Sequence, residues 1–481
     1  MSAVTAAAGL TLESVAEATS GRRVAQAGGQ PILTSVSIDS RTLEPGALFV
    51  AIRGKHFDGH DFLAAAHARG AGAALVERDA AAPPELPLVR VPDTTRALAD
   101  LARHVRRSAA IPVVAVTGSV GKTTTKDMTA ELLGARGPVL KTEGNLNNQY
   151  GLPLTLLRLE PRHTAAVLEL GMSAAGEIRA LTTLAEPDVA TITRIAPVHL
   201  EFFASLDAIA DAKAEILEGL RPGGTAVLNG DDPRLRRVGE RFAGRTLWFG
   251  RDRRFDVSAE RWRGTAFGMR FDLRIAGRSL DVALPLAGPH FVENFLAAAA
   301  AAHVLGVSPE AIAEAALRLK PARHRGELLR LGQSVIVLDD CYNSSPAALE
   351  AAVVALGLVP GLRRVAVVGD MLELGPTGKA LHREAGRALA GRVDVLVGIG
   401  PLAREIVEGA RAAGFAGKGL AHFDEAAQAK AAVASLVAPG DAVLVKASRG
   451  VRLEQVVDAL VARFGETAGN TAGEPAGEGR R

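Results

Sequence analysis

The amino-acid sequence predicts an α/β protein of several domains, on three observations. At 481 residues it is about three times the ~150 residues taken as a soft prior for one domain. Hydrophobic residues make up 48% against 23% charged, which excludes a disordered or fibrous chain. Aromatics are only 4% while Ala and Gly abound, and short β-branched runs alternate with longer amphipathic stretches. That pattern belongs to βαβ units, with helices packed closely on parallel sheets.

Residues 1–108 read as a first, smaller α/β domain, closed by a Pro-broken stretch over 81–92 and a helix running to Arg107. The clearest alternation opens a second domain, 109–320. It predicts a strand over 113–117 with a helix over 123–133, then 165–170 with 176–184, 189–193 with 206–220, and 225–228 with 233–242. Residues 254–286 read as short strands with Gly turns and 291–320 as two helices. The rhythm restarts in a third domain, 321–465, with strands over 334–338, 364–368, 393–397 and 442–446. The tail, 466–481, holds Gly, Ala, Glu and Thr without periodicity and reads as disordered.

Lys and Arg number 56 and Asp and Glu 53, so the surface is not polycationic and nucleic acid is not the default partner. Eight arginines crowd 234–254 beside two acids, but Gly239, Gly244, Gly250 and a hydrophobic run interrupt them, with no stacking aromatics at regular spacing, so they read as solvated surface. The single cysteine, Cys341, cannot form an intramolecular disulfide and points to a reducing compartment. No basic segment followed by an apolar core opens the chain, and the most continuous apolar run, 296–307, is too short for a membrane span. The expectation is a cytoplasmic protein without a membrane span.

The sharpest local signal is Thr117-Gly118-Ser119-Val120-Gly121-Lys122-Thr123-Thr124, set between a strand and a helix. Its glycines let backbone N–H groups close on phosphate oxygens, Lys122 reaches the outer phosphates, and the Thr123 hydroxyl can bind Mg²⁺. Val116 occupies the position of the usual first glycine. Ligands collect at the carboxyl edge of a parallel sheet, which makes Glu169 and His199 candidate metal ligands. Lys213 falls among Ile209, Ile216, Leu217 and Leu220 at helical spacing, opposite Asp207, Asp211, Glu215 and Glu218, and is either snorkelling or functional. Asp340, after the strand ending at Leu338, is placed to hold a ribose hydroxyl, with Tyr342 beside it. Cys341 lacks an accompanying catalytic His or Asn pattern and reads as a small strand-end residue.

In sequence order the motifs are Ser37-Ile38-Asp39-Ser40-Arg41 with residues 45–51, then 58–62, the phosphate loop, and Asn145-Leu146-Asn147-Asn148 through Gly151 and Pro153. Glu169-Leu170-Gly171-Met172 follows, then His199 and Lys213, Asp340 to Pro346, and 369–375. Over nearly the whole chain to about residue 465 this resembles the Mur ligase family, ATP-dependent amide-forming enzymes of peptidoglycan synthesis in the bacterial cytoplasm. The resemblance implies an α/β, three-domain Mur ligase architecture: an N-terminal UDP-sugar domain, a central P-loop ATPase domain with a parallel-rich sheet, and a C-terminal Rossmann-like domain. It accounts for Val116, because the family loop is the shorter Thr-Gly-x-x-Gly-Lys-Thr.

It further implies a monomer using ATP and two Mg²⁺. Residues 117–124 with Asn294, Arg325 and Asp340 would hold ATP, and Ser37, Asp39, Ser40, Arg41 and Asn148 the UDP-sugar. Thr123, Glu169, His199 and a carbamylated Lys213 would hold metal, with Lys122, Lys213 and His199 as catalytic groups. Within the family the fit is to joining D-alanyl-D-alanine to UDP-MurNAc-tripeptide. The diaminopimelate-adding relative carries Asp-Asn-Pro-Arg in its last domain, and the nearest string here, Asp231-Asp232-Pro233-Arg234, stands in the middle one. Other readings are another Mur-type ligase, a folylpolyglutamate-synthase-like ligase, a nucleotide-driven binding protein that makes no bond, and a small-molecule kinase.

Overall fold

The structure, a computed structural model, describes residues 4–24, 31–197, 203–265 and 268–465; of residues 4–9 it describes the backbone. His199 and the tail 466–481 therefore lie outside the described residues. Three sheets follow one another along the chain. The first has six strands in the order Val4–Thr11, Ile32–Ser37, Ala47–Val50, Ala73–Val76, Leu88–Arg90, Arg22–Val24, the inner four parallel and the outer two antiparallel. The helix Thr94–Ser108 starts where the Asp93 carboxylate accepts from Arg96 N. Its buried Leu98, Leu101 and Val105 belong to one hydrophobic cluster with Leu152, Leu168 and Leu181 of the next unit. Arg106, 3% exposed, donates to the carbonyls of Ala185 and Glu186 at 2.9 and 3.0 Å. Core and guanidinium thus bolt the first unit to the second.

The second sheet has nine strands in the order Val139–Lys141, Ala165–Glu169, Val113–Thr117, Val189–Ile192, Thr225–Asn229, Arg245–Gly250, Val257–Thr265, Gly268–Ile275, Arg278–Leu284. The first seven are parallel and the last two antiparallel. The strands expected to be short within 254–286 are nine, eight and seven residues long, turned at Gly268 and Gly277. Helix Pro289–Val304 packs against this sheet, and its alanines 297–302 are all fully buried. Small side chains there let helix backbone approach strand backbone. The third sheet runs Glu327–Arg330, Ile336–Asp339, Ala442–Lys446, Arg364–Gly369, Val395–Ile399, Gly419–Phe423, parallel except at its first edge, a Rossmann-like arrangement.

Two expectations need correction. The helix predicted over 206–220 is an α-helix only over Leu206–Ala214 and tightens to 3₁₀ over Glu215–Gly219. Glu215 is consequently not on a solvent face but 6% exposed, its carboxylate accepting from Gly176 N and Arg179 N at the start of helix Glu177–Ala185. The strand expected from residue 334 begins at Ile336, because Gln333 and Ser334 turn the chain with φ of 58° and 59°. No helix among the described residues is long and apolar enough to cross a membrane.

Candidate active site

One cleft of about 1090 Å³ opens at the carboxyl ends of the strands of the second sheet and is faced by the third. Strand Val113–Thr117 delivers the phosphate loop to its floor. Gly118, at φ 150°, leaves room for the Thr193 hydroxyl, which a Cβ would strike. Thr193 in turn donates to Val120 O at 2.6 Å, and Ser119 N donates to Arg194 O at 2.8 Å, so the neighbouring strand end shapes the loop. Gly121, at φ 86°, opens helix Lys122–Leu133, leaving the first-turn N–H groups directed at the cleft.

Lys122 Nζ donates to Gly118 O at 2.9 Å. Burial pulls its ammonium below the ordinary value, Glu169 opposes that, and Arg325 from the third sheet adds to it. Thr123 Oγ1 donates to Glu169 Oε2 at 2.8 Å and Asn147 Nδ2 to Glu169 Oε1 at 2.9 Å. Glu169 is 3% exposed, and with the threonine hydroxyl it supplies the hard oxygen donors that Mg²⁺ takes. Lys213 reaches the same cleft at 1% exposure; burial and then the charge of Lys122 hold its amine well below the ordinary value, against the pull of Glu169.

Asn294 sits on the helix behind the loop with its side chain over Gly121, and its neighbour Glu293 pairs with Arg251 at 2.5 Å. Across the cleft the Arg325 guanidinium stacks 4.0 Å over the Tyr342 ring. Asp340 Oδ2 accepts from Lys446 Nζ at 2.6 Å, and that buried lysine also donates to Asn343 O at 2.9 Å. Burial pushes His290 down to about 4 despite Asp340, and its Nδ1 has no hydrogen-bond partner.

Residues 119–124, Asn148, Glu169, Lys213, Asn294, Arg325 and Asp340 all line this cleft. Asn148 also holds a turn, its Oδ1 accepting from Tyr150 N and Gly151 N. Ser37, Asp39, Ser40 and Arg41 do not line it. They follow strand Ile32–Ser37, where Arg41 grips Asp39 with Nε and Nη2 at 2.9 and 2.8 Å and holds that carboxyl at about 2. The Asp39 backbone N–H and carbonyl both bond Ser37 Oγ. Asn147, His290, Glu373 and Lys446 line the cleft without having been singled out as site residues. Strand-end position, the rule that found Asp340, would have found Lys446 as well.

In comparison with known proteins, three family models match successive parts of the chain. Residues 33–106 match the model of the Mur ligase family catalytic domain, 116–302 the Mur ligase middle domain, and 324–449 the Mur ligase glutamate ligase domain. The chain is 39% identical to the UDP-N-acetylmuramoyl-tripeptide–D-alanyl-D-alanine ligase of Escherichia coli, across 90% of this chain and 95% of that protein. It is similar to a crystal structure of MurF from Acinetobacter baumannii, with TM-score 0.86 and 34% identity over 94% of this chain and 99% of that one. It is likewise similar to the MurF ligase of Thermotoga maritima in complex with ADP, with TM-score 0.79 and 33% identity over 89% and 97%.

Proposed function

Since the chain belongs to the Mur ligase family, we propose that it joins D-alanyl-D-alanine to UDP-MurNAc-tripeptide at the expense of ATP. The observation that carries this reading is the cleft itself, with a phosphate loop on one wall and Arg325 and Asp340 on the other. The tripeptide's terminal carboxylate attacks the γ-phosphorus of ATP, breaking its bond to ADP and giving an acyl phosphate. The dipeptide amine then attacks the acyl carbon, expels phosphate and loses a proton as the amide forms. The first step brings an anion to an anion, so its barrier is lowered chiefly by Lys122 and the loop amides, aimed where charge gathers on the transferring phosphoryl group.

Thr123 and Glu169 would hold one Mg²⁺, and Glu169, His199 and Lys213 as its carbamate a second. The ions, when bound, offset phosphate charge and hold the nucleotide in line for transfer. Ser37, Asp39, Ser40, Arg41 and Asn148 take the UDP-sugar; a serine hydroxyl and an arginine fork suit uracil edges and diphosphate oxygens. Segment 320–326 acts as a hinge on which the third domain closes to keep water from the acyl phosphate. The enzyme works as a monomer in the cytoplasm, in keeping with a single cysteine, Cys341.

Phosphate release, with each substrate of the purified enzyme omitted in turn, tests the reaction. One dipeptide consumed per ATP is expected; ATP turnover independent of the dipeptide refutes amide ligation, and a stable phosphorylated product would mark a kinase. Small-angle scattering tests the closure, which is refuted if ATP analogue and both substrates produce no compaction.

A further inference from the structure

The wall that carries Arg325 and Asp340 has a second, hidden face. Arg325, Asp340 and Tyr342 line the cleft, whereas their neighbours His324, Asp339 and Cys341 do not. Those three meet behind it: Asp339 ends its strand, Cys341 stands two residues on, and His324 comes from a turn of the linker. His324 Nδ1 lies 2.7 Å from Asp339 Oδ2, and one donor atom from each of His324, Asp339 and Cys341 lies within 4.8 Å of the other two. Asp339 and Cys341 are each 1% exposed.

The cluster is held by backbone. Gly326 N donates to Asp339 O at 2.8 Å and Tyr342 N to His324 O at 3.0 Å, and His324 adopts a φ of 62°, so the linker segment is pinned against the strand end. Glu454 acts electrostatically on the same thiol, and its buried Oε2 has no hydrogen-bond partner.

We infer that His324, Asp339 and Cys341 form a binding site for Zn²⁺ or a similar thiophilic divalent cation, back to back with the nucleotide wall. An imidazole nitrogen, a carboxylate oxygen and a thiolate are the donors Zn²⁺ takes, with water as the fourth ligand. Ligands at about 2.0–2.3 Å from a tetrahedral ion stand about 3.5 Å apart, so the His324–Asp339 pair would open and the wider separations close, each by about an ångström. Mg²⁺ prefers oxygen donors and does not compete. On binding, the Cys341 S–H proton passes to solvent as the S–metal bond forms, and His324 carries its remaining proton on Nε2. Burial and Asp339 raise the free thiol, and the cation's charge reverses that. The bound ion would tie linker to strand behind Arg325 and Asp340. This inference does not depend on the ligase reading.

The test is titration of chelator-treated full-length protein with Co²⁺, then Zn²⁺. The chain has one cysteine, so a thiolate-to-cobalt charge-transfer band has one possible source. Expected is one equivalent of Co²⁺ with that band and tetrahedral ligand-field bands, displaced by Zn²⁺. Cys341→Ala should abolish the charge-transfer band and weaken Co²⁺ binding by more than about 100-fold, and His324→Gln should weaken it by at least about tenfold. Thermal unfolding establishes that each variant is folded. Absence of the band in the wild-type protein, or undiminished affinity in folded Cys341→Ala, overturns the site.

Discussion

Replacing Lys213 by alanine is expected to lower turnover by about 10²–10³-fold, with added acetate or formate restoring part of it. Lys213 projects from helix Leu206–Ala214 at 1% exposure, beside core residues Ile209 and Ile216. An uncompensated ammonium there would cost several kcal/mol, and burial together with Lys122 favours the neutral amine instead. A neutral amine can add CO₂ and release a proton, and the carbamate proposed for Lys213 would turn a group that repels cations into an oxygen ligand in the cleft that Thr123 and Glu169 also line. Removing one preorganised electrostatic group from an active site costs about 2.7–4 kcal/mol, the source of the expected fold-change.

Truncation also empties space in a packed interior, at about 2–5 kcal/mol of stability, so folding and turnover must be measured separately. Thermal unfolding gives the first, and phosphate release with and without the small carboxylate gives the second. A ¹³C resonance of a lysine carbamate under ¹³CO₂, absent from Lys213→Ala, reports the adduct directly. Near wild-type turnover in the folded variant without added carboxylate would refute the assignment.

Three further outcomes are expected. Glu215→Ala leaves Gly176 N and Arg179 N without their acceptor and should cost about 2–4 kcal/mol, with faster hydrogen exchange over 176–185; a loss below about 0.5 kcal/mol contradicts the capping role. His290, neutral in the folded state with its value pushed down to about 4 from 6.5, must gain a proton on unfolding in acid. Stability should therefore fall by about 2 kcal/mol from pH 7 to pH 5, and His290→Gln should flatten that slope in urea titrations; parallel wild-type and variant curves would refute it. Arg41→Ala should raise KM for the UDP-sugar by about tenfold and leave KM for ATP unchanged, whereas the opposite split reassigns the segment.

The phosphate loop was legible in the sequence because everything it needs is local: a strand, two glycines with positive φ, a lysine and a helix start. Lys213 was legible from periodicity, which reports a face. The same periodicity misread Glu215, two residues on, because the helix changes to 3₁₀ there and the α-helical 100° step no longer applies. Glu327–Arg330 and Gly419–Phe423 escaped notice as edge strands, half-buried at every position and so without the alternation that marks a strand. Asp340 is placed at the nucleotide by its strand-end position and Arg325 by the family's motif alone. Their approach to the loop is a long-range product of two sheets, which no local window contains.

Charge in the cleft supports the proposal of two metal ions. Among the described residues its walls carry six basic groups, Lys122, Arg194, Lys213, Arg325, Lys446 and Arg449, and five acids, Glu169, Glu177, Glu293, Asp340 and Glu373. Several are already committed to one another, Lys446 to Asp340 and Arg194 to Glu293. A neutral Lys213 brings the walls to balance, and its carbamate leaves them one charge negative. A triphosphate of about −4 charge together with a substrate carboxylate cannot be met by such walls, whatever Lys122 and the loop amides contribute locally. Divalent cations would supply the difference, and under the proposed carbamylation the oxygens of Thr123, Glu169 and Lys213 would hold them. The proposed modification, by making the walls more negative, would make the cleft more dependent on Mg²⁺, so loss of Lys213 should also weaken the Mg²⁺ dependence of whatever activity survives.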